Sequence, residues 1–340
     1  MPRNILHITV IGDGAMATVC ANILAAKHAD HTAVTQWGRE PELLAQFRAE
    51  GENKRYLPGF KLSEHLQFEG DEALAFKDAQ LIIAAVPTQF MRSTLQRVAA
   101  YIPAKVPIVS VAKGLEISTL MRPTQIIADV TGPRPLAVLS GPNIAGELAR
   151  KLPATMVVAV DVAHRAGDLA KRIQELFTCP YLRVYRNSDL LGVELAGALK
   201  NVVAIAAGIL EGMNAGHNAK AALLSRGLVE ITRLGIALGA QPDTFYGLAG
   251  LGDLVTTCFS PEGRNRTFGE RIGRGEKSDD VLKSIAGVVE GVPTCRAVVK
   301  LAAEHHVDLP ICRGLHAVLF EGSDPRTEIA GLMSRELKSE

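Results

Sequence analysis

The sequence predicts an α/β protein in which a doubly wound sheet in the first half is followed by a mostly α-helical second half. Short apolar runs alternate with amphipathic stretches up to about Arg186, a pattern typical of a parallel sheet covered by helices. After that point strand-like runs nearly disappear, and long stretches with helical spacing replace them. A chain of 340 residues is long enough for about two domains. We therefore predict one domain over residues 1–186 and a second over residues 187–340.

The predicted elements follow the chain in order. Short, mostly apolar runs, several of them rich in β-branched residues, are the predicted strands: His7–Ile11, Thr32–Gln36, Leu81–Val86, Ile108–Ala112, Leu136–Leu139, Thr155–Val160 and Leu182–Tyr185. Helical spacing predicts helices over Arg92–Tyr101 and Ala163–Phe177, and in the second domain over Ser188–Ile209, Asn218–Leu238 and Pro293–His305. Because no repeat or long linker separates the domains, we expect them to pack closely around a substrate cleft.

Composition excludes several classes of partner. The net charge of +1 and the scattered basic residues give no field that would attract nucleic acid or an anionic membrane. The apolar runs are far shorter than the roughly 18 residues of a membrane span, and the first residues lack the regions of a signal peptide. We therefore expect a cytoplasmic protein without membrane insertion. The five cysteines show no metal-ligand spacing, so we predict reduced thiols and no metal site.

The strongest single motif is a glycine-rich loop. The strand His7–Ile11 runs into Gly12-x-Gly14-x-x-Ala17, and a helical run follows at once. Glycines permit a tight turn and a close backbone approach to a pyrophosphate, while the helix N-terminus supplies amide donors. A lone Gly-x-Gly is weak evidence, but the strand–turn–helix context predicts a dinucleotide site. Its expected residues are Gly12, Gly14, Ala15, Met16 and Ala17.

The end of the second strand bears on the choice of cofactor. NAD-specific sheets usually place Asp or Glu there, about 20 residues past the loop, whereas this chain reads Gln36-Trp37-Gly38-Arg39. Arg39 can accept a 2′-phosphate, and Trp37 can lie against the adenine or stack on the guanidinium. We therefore predict that NADP is used at least as well as NAD. The alternative is that Trp37 belongs to the core and Arg39 is solvated.

Two lysines occupy positions that favour a chemical role. Lys113 follows a predicted buried strand, and open α/β sheets bind ligands at the carboxyl ends of their strands. Lys200 and Asn201 lie on a helix whose small residues permit close packing, and lysines rarely enter such a face without a partner or a task.

A later segment adds a carboxylate and phosphate-binding donors. Asp253 can orient a lysine or can be the N-cap of the following helix. Arg264 and Asn265, next to Gly263, offer the fork and amide donors that suit a phosphate. We expect the run Thr256-Thr257-Cys258 to serve packing and capping beside Asp253 rather than nucleophilic chemistry.

These residues belong to longer stretches that resemble the NAD(P)-dependent glycerol-3-phosphate dehydrogenase family over almost the whole chain. The matching stretches are Asn53-x-x-Tyr56-Leu57-Pro58-Gly59, Val86-Pro87-Thr88, Ala112-Lys113-Gly114-Leu115-Glu116, Leu139-Ser140-Gly141-Pro142-Asn143-Ile144-Ala145-x-Glu147, Glu194-Leu195-Ala196-Gly197-Ala198-Leu199-Lys200-Asn201, Asn218-Ala219-Lys220-Ala221-Ala222-Leu223, Gly247-Leu248-Ala249-Gly250-Leu251-Gly252-Asp253-Leu254 and Val289-Glu290-Gly291. The resemblance implies an N-terminal Rossmann domain, a helical C-terminal domain, a homodimer, and a role in supplying glycerol 3-phosphate for phospholipid synthesis.

The resemblance also implies roles for individual residues. The general base falls on Lys200 and the second active-site lysine on Lys113, with Asp253 and Asn201 completing the catalytic set. Substrate-binding positions fall on Gly141, Asn143, Gly263, Arg264 and Asn265, besides the two lysines and Asp253. Cofactor-binding positions outside the glycine loop fall on Lys113, Ala145, Arg264, Val288 and Glu290, in addition to Trp37 and Arg39 at the end of the second strand.

The implied chemistry suits these residue types. Oxidation of a secondary alcohol removes its proton while hydride leaves the same carbon, which requires a neutral amine close to the hydroxyl. Burial and the cation of Lys113 are expected to lower the pKa of Lys200 toward that state. Two alternatives are another two-domain dehydrogenase, acting on 6-phosphogluconate or a pantoate, and a dinucleotide sensor without catalysis. The former lacks the Gly-Leu-Gly-Asp and Gly-Arg-Asn segments, and the latter does not need both lysines.

The glycine loop departs from the family pattern, which reads close to GAGSWGT. Its serine donor and its tryptophan become Ala15 and Met16 here, so a hydroxyl contact and an aromatic wall are lost. Asp13 also brings a carboxylate near the pyrophosphate, which is unfavourable unless the side chain points to solvent. We expect these changes to affect the affinity and preference for the cofactor more than the type of reaction.

Overall fold

The chain divides into two compact units. A computed structural model describes residues 5–27, 30–161 and 168–337. The first unit consists of Met1–Lys113 and Met121–Glu194, and the second of Gly114–Leu120 and Leu195–Glu340. The sequence predicts a division at residue 186, whereas the structural division falls inside a long helix, after Glu194.

The first unit contains a sheet of eight described strands. Their bounds are β1 Leu6–Ile11, β2 Thr32–Trp37, β5 Leu66–Glu69, β6 Leu81–Ala84, β7 Ile108–Ser110, β8 Leu136–Ser140, β9 Ala154–Val160 and β10 Leu182–Asn187, and a separate antiparallel pair is formed by β3 Glu52–Asn53 and β4 Leu57–Lys61. The order across the sheet is β5-β2-β1-β6-β7-β8-β9-β10. β1 pairs in parallel with both β2 and β6, so the strand order reverses beside β1. Ligands of open α/β sheets bind at the carboxyl ends of the strands at such a reversal.

Helices alternate with these strands. They are α1 Ala15–Lys27, α2 Pro41–Glu50, α3 Glu72–Phe76, α4 Thr88–Val98, α5 Pro123–Thr131, α6 Ala145–Ala149 and α7 Leu169–Phe177. The central strands β6 and β8 are buried along their whole length, as expected for a sheet that is covered on both faces. The predicted doubly wound fold is confirmed.

The structure corrects the sequence prediction in several details. β9 runs antiparallel to β8, because the five-residue helix α6 between them does not carry the chain back across the sheet. β5 was not predicted, since it is a four-residue edge strand with alternating burial. The predicted helix at Arg92–Tyr101 starts earlier, at Thr88, and ends in a 3-10 turn over Ala99–Tyr101. The beginning of the helix predicted over Ala163–Phe177 lies outside the described residues.

The second unit is helical, as predicted. Its helices are α8 Leu190–Gly212, which begins in the first unit, α9 Gly216–Ala237, α10 Pro242–Tyr246, α11 Asp253–Phe259, α12 Arg264–Gly273, α13 Ser278–Ser284, α14 Gly291–Glu304, α15 Pro310–His316 and α16 Pro325–Met333, with π turns over Leu248–Gly252 and Ala317–Glu321. Helix α8 has the length and apolarity of a membrane span, although the sequence predicts only shorter apolar runs. Since 94% of its most apolar window is buried in the protein, α8 has the character of a core helix.

Helices α8 and α12 are in direct backbone contact. A Cβ on Gly208 of α8 would lie 2.0 Å from Arg266 O, and a Cβ on Gly269 of α12 would lie 2.0 Å from Ile205 O. Only residues without a side chain permit such a close approach of two helices. The contact fixes the start of α12 relative to the middle of α8.

Two buried glutamates bind the N-terminal amides of helices. Glu194 accepts hydrogen bonds from the backbone amide of Thr124 at 2.8 Å and from its hydroxyl at 2.6 Å, at the start of α5. Glu230 accepts from the amides of Ile311 and Cys312 at 2.7 and 3.2 Å, at the start of α15. Burial raises the pKa of Glu230 to about 7, because desolvation of its carboxylate outweighs these hydrogen bonds.

Candidate active site

The glycine loop of the first unit has the geometry of a pyrophosphate cradle. Gly12 follows β1 with a φ of 125°, and a Cβ on it would lie 2.7 Å from Ala85 O. A Cβ on Gly14 would meet nothing within 4 Å, so the backbone there is open to a ligand. α1 begins at Ala15, directly after the loop, and its first amides are free of intrahelical partners by the nature of a helix N-terminus. The residues present therefore fit a dinucleotide.

A network of buried polar side chains donates hydrogen bonds to the backbone carbonyls of this loop. Asn53 Nδ2 donates to Asp13 O at 2.9 Å and to Thr18 Oγ1 at 2.8 Å, and Gln36 Nε2 donates to Gly12 O at 2.9 Å. Asn53 and Gln36 are fully buried. By binding the loop carbonyls they fix the loop conformation. In the sequence, Asn53 is only one member of a stretch that carries the family resemblance, with no role assigned to it. The residue pattern of β2 does not indicate that Gln36 binds the loop.

The structure corrects the prediction for Trp37. Its side chain is 0% exposed and packs on Phe76 with ring centroids 6.2 Å apart, so it cannot lie against an adenine. The guanidinium over its ring belongs to Arg97, at 5.4 Å. Arg39 is exposed and lies 5.9 Å from the ring centroid of Phe90, a half-exposed aromatic residue in the first turn of α4. The alternative interpretation of Trp37, as a core residue, is the one the structure supports.

Lys113 is joined to two of the predicted substrate-binding residues. Its Nζ donates to Gly141 O at 2.8 Å and to Asn143 Oδ1 at 2.6 Å. Lys113 follows β7, and Gly141 and Asn143 follow β8, so adjacent strands of the sheet bring these groups together at its carboxyl edge. Ala145, predicted to touch the cofactor, is the first residue of α6 just beyond them.

Lys200 lies in a buried ion pair within the second unit. Its Nζ is 2.9 Å from Asp253 Oδ1, and the two side chains are only 5% and 3% exposed. Lys200 also donates to the hydroxyl of Thr257, which in turn donates to Asp253 Oδ1 at 3.2 Å. α11 begins at Asp253 after Gly252, so the aspartate is not the residue preceding the helix that an N-cap requires. A carboxylate at this distance stabilises an ammonium.

Thr257 is a residue of this group that the sequence did not predict. The sequence predicts packing and capping for it, whereas in the structure its hydroxyl bridges Lys200 and Asp253. It lies one helical turn after Asp253, and this i, i+4 spacing was the available signal. The neighbouring Cys258 is buried, which raises the pKa of its thiol to about 12 and excludes a thiolate nucleophile near neutral pH.

The predicted phosphate-binding segment packs onto the same helix as Lys200. Asn265 Nδ2 donates to Asn201 Oδ1 at 2.9 Å, and Gly291 N donates to Asn265 Oδ1 at 2.9 Å. The glycine contact between α8 and α12 explains this pairing, because it places the first turn of α12 beside α8. Gly263 is the residue preceding α12.

Arg264 lies beside the segment that follows α13. The residue is exposed, and its Nη1 would lie 3.2 Å from a Cβ on Gly287, in the segment that contains Val288 and Glu290. The Glu290 carboxylate interacts electrostatically with the Arg264 guanidinium. The structure thus brings Arg264 close to the Val288–Glu290 segment, as expected if both serve one ligand.

The described residues contain no group of three His, Cys, Asp or Glu side chains that could hold a metal ion. The polar groups instead form two sets, the Lys113 set with the glycine loop in the first unit and the Lys200 set in the second. The first set can bind a dinucleotide and orient an oxygen atom, and the second can exchange a proton and bind an anion.

Comparisons with known proteins cover nearly the whole chain. Residues 7–166 match the family described as NAD-dependent glycerol-3-phosphate dehydrogenase N-terminus, and residues 189–330 match the corresponding C-terminus. The glycerol-3-phosphate dehydrogenase (NAD(P)+) of Geobacter sp. strain M21 is 44% identical, with 98% of each chain covered. That of Thermobifida fusca strain YX is 42% identical over the same shares. A crystal structure of glycerol-3-phosphate dehydrogenase from Coxiella burnetii matches with a TM-score of 0.91 and 34% identity, covering 97% of this chain and 99% of that one.

Proposed function

The chain belongs to the NAD-dependent glycerol-3-phosphate dehydrogenase family, and we propose that it interconverts sn-glycerol 3-phosphate and dihydroxyacetone phosphate. It is an NAD(P)-dependent oxidoreductase with a Rossmann-type cofactor domain. The single observation that supports the proposed reaction is the buried contact of Lys200 with Asp253 and Thr257, because the proposed proton transfer needs an amine that is shielded from solvent and held in one orientation.

The bound nicotinamide would supply or accept the hydride, and the chain's own residues would handle the proton and the charge. In the reduction of the ketone, the Lys200 ammonium protonates the oxygen that becomes the hydroxyl. In the oxidation of the alcohol, the same amine takes that proton back. The contacts with Asp253 and Thr257 hold the Lys200 Nζ in one orientation for this transfer.

Lys113 is proposed to polarise the substrate oxygen, since its ammonium is already oriented by Gly141 and Asn143. Arg264 and Asn265 are proposed to bind the phosphate, with Gly263 before them and Asn201 positioning the amide of Asn265. A planar guanidinium and an amide offer several hydrogen-bond donors to phosphate oxygens.

The cofactor is proposed to bind on Gly12, Gly14, Ala15, Met16 and Ala17, with Arg39, Lys113, Ala145, Arg264, Val288 and Glu290 as further contacts. We also propose that residues 1–186 form the domain that binds most of the cofactor, and that residues 187–340 form the domain that binds most of the substrate and carries the general base. We further propose that the protein is a cytoplasmic homodimer. Its proposed role is to supply glycerol 3-phosphate for phospholipid synthesis. Light scattering on the purified protein tests the dimer.

Substitution of Lys200 by alanine tests the assigned role. General acid–base groups contribute roughly 10²- to 10⁴-fold to rate, so Lys200→Ala should lose turnover by at least about two orders of magnitude. Binding of the reduced cofactor, followed by its fluorescence, should be retained because the glycine loop is unchanged. Lys283→Ala removes an exposed lysine of the same unit and serves as the control. Turnover that survives in Lys200→Ala would show that another group transfers the proton.

A further inference from the structure

The side chain of Asp13 lies beside Gly38, just after the end of β2. A Cβ on Gly38 would lie 3.1 Å from Asp13 Cβ and 3.4 Å from Asp13 Oδ2. Two hydrogen bonds hold the loop in this register, from Gly12 N to Trp37 O at 2.8 Å and from Asn53 Nδ2 to Asp13 O at 2.9 Å. The half-buried Asp13 side chain is therefore held against the end of the second strand.

In a dinucleotide-binding sheet, the end of the second strand meets the adenosine ribose. A carboxylate there binds the ribose hydroxyls of NAD, and an arginine nearby accommodates the 2′-phosphate of NADP. In this chain that strand ends in the buried Trp37 and in Gly38, which has no side chain. The geometry points to Asp13, reaching the same place from the glycine loop, as the residue that binds the ribose hydroxyls and makes the enzyme favour NAD(H) over NADP(H). This inference rests on the proposed function.

The surrounding charges favour hydroxyl groups over a phosphate. Among the charged neighbours of Asp13, Glu40 has the largest electrostatic effect, and Arg39 and Arg55 have smaller opposite ones. Arg55 Nη1 is paired with Glu40 Oε2 at 2.9 Å, and the Arg39 guanidinium lies toward the ring of Phe90. Burial raises the pKa of Asp13, and the hydrogen bond from its own backbone amide offsets only part of that rise. Such a carboxylate gains from additional donors. Ribose hydroxyls provide donors, whereas a 2′-phosphate brings negative charge toward both Asp13 and Glu40.

This inference reverses the preference that the sequence predicts. That prediction relies on Arg39, on Trp37 and on the lack of an acidic residue at the end of the second strand. The structure instead places the half-buried Asp13 side chain beside Gly38, at the end of the second strand. A binding site built to accept hydrogen bonds from a substrate hydroxyl discriminates strongly against an analogue that cannot make them.

Direct binding of NADH and NADPH to the full-length protein tests the assignment without reliance on turnover. We expect wild type to bind NADH at least about tenfold more tightly than NADPH. The isosteric Asp13→Asn variant and the smaller Asp13→Ala variant should each reduce that ratio by about tenfold. Glu42→Gln removes an exposed negative charge in the first turn of α2 and should leave the ratio unchanged.

A second measurement uses only the wild-type protein and remains valid if the Asp13 variants do not fold. Adenosine 5′-monophosphate and adenosine 2′,5′-bisphosphate differ only at the 2′ position, where the first has a hydroxyl and the second a phosphate. The monophosphate should bind more tightly, because its 2′-hydroxyl can donate to Asp13. Equal binding of the two nucleotides, a wild-type preference for NADPH, or an unchanged ratio in folded Asp13 variants would overturn the assignment. If neither NADH nor NADPH binds, the proposed function fails and this inference fails with it.

Discussion

Replacement of Asp253 by asparagine removes the negative charge that faces Lys200 while it preserves the size of the side chain. The two charged atoms lie 2.9 Å apart, and both side chains are almost fully buried. Removal of one partner of a buried pair costs about 3–5 kcal/mol, because the other charge is left uncompensated, whereas an exposed pair contributes only about 0–1 kcal/mol. We expect a loss of about 3 kcal/mol in the free energy of unfolding, at the lower end because Thr257 still accepts a hydrogen bond from Lys200.

The same substitution should affect turnover more than cofactor binding. A Lys200 side chain without its carboxylate partner loses its orientation, so kcat should fall by about 10²-fold, at the lower end of the contribution of a general acid. Affinity for the reduced cofactor should stay within about twofold, since the glycine loop belongs to the other compact unit. Urea unfolding, absorbance assays of turnover and fluorescence titration of the cofactor measure the three quantities.

Two further variants control this experiment. Glu64→Gln breaks an exposed pair with Lys61, whose side chains are 79% and 82% exposed, and should cost less than about 1 kcal/mol. The double variant Lys200→Met/Asp253→Leu leaves no lone charge, so it should be more stable than the sum of the single losses implies. If Asp253→Asn is as harmless as Glu64→Gln in both stability and kcat, the reasoning from the buried pair is refuted.

Three other expectations follow from the geometry. Thr257→Val keeps the shape but removes the hydroxyl that orients Lys200, so kcat should fall by about tenfold or more with unchanged unfolding cooperativity, and an unchanged kcat would contradict the assigned contact. The pKa of Glu230 is raised to about 7 from 4.5, so its contribution to stability is fully present below pH 4.5 and is lost as the pH rises through about 7. The free energy of unfolding, measured by urea titration, should therefore decline over this window by up to about 1.4 kcal/mol per pH unit in wild type but stay flatter in Glu230→Gln, and parallel pH profiles would argue against this titration. Gly269→Ala would place a Cβ 2.0 Å from Ile205 O, so the free energy of unfolding should fall by about 1–3 kcal/mol and the melting temperature should fall with it. A melting temperature equal to that of wild type would rule out the close helix contact.

Patterns that depend on chain-local physics were predictable. The alternation of apolar runs predicts every strand of the eight-stranded sheet except the short edge strand β5, and it misses the separate pair β3 and β4. The central strands β6 and β8 are the clearest, because burial on both faces leaves a continuous apolar signature. The glycine loop was predictable because strand, turn and helix follow one another directly in the sequence. The antiparallel direction of β9 was not, since direction depends on where a short connection returns the chain.

Contacts between distant segments could not be read from the sequence. The side chains of Asn53 and Gln36 contact the glycine loop only because the β3–β4 pair and β2 pack beside that loop. Nothing in the local sequence pattern distinguishes these two residues from other buried polar residues. The prediction that Trp37 contacts the cofactor is wrong for a related reason. An aromatic residue at a strand end can point either into the core or toward a ligand, and its sequence position does not decide between them. The sequence identifies Asp13 as a departure from the family pattern of the loop. The direction of its side chain depends on the absence of a side chain at Gly38, which belongs to another segment.

The central claim is tested most directly by the substrate itself. Purified protein mixed with dihydroxyacetone phosphate and either NADH or NADPH should oxidise the cofactor and form one sn-glycerol 3-phosphate for each cofactor consumed. The isomer glyceraldehyde 3-phosphate, which offers an aldehyde instead of the ketone, should support little or no oxidation. Absence of oxidation with dihydroxyacetone phosphate and both cofactors would contradict the proposed reaction, whatever the protein binds.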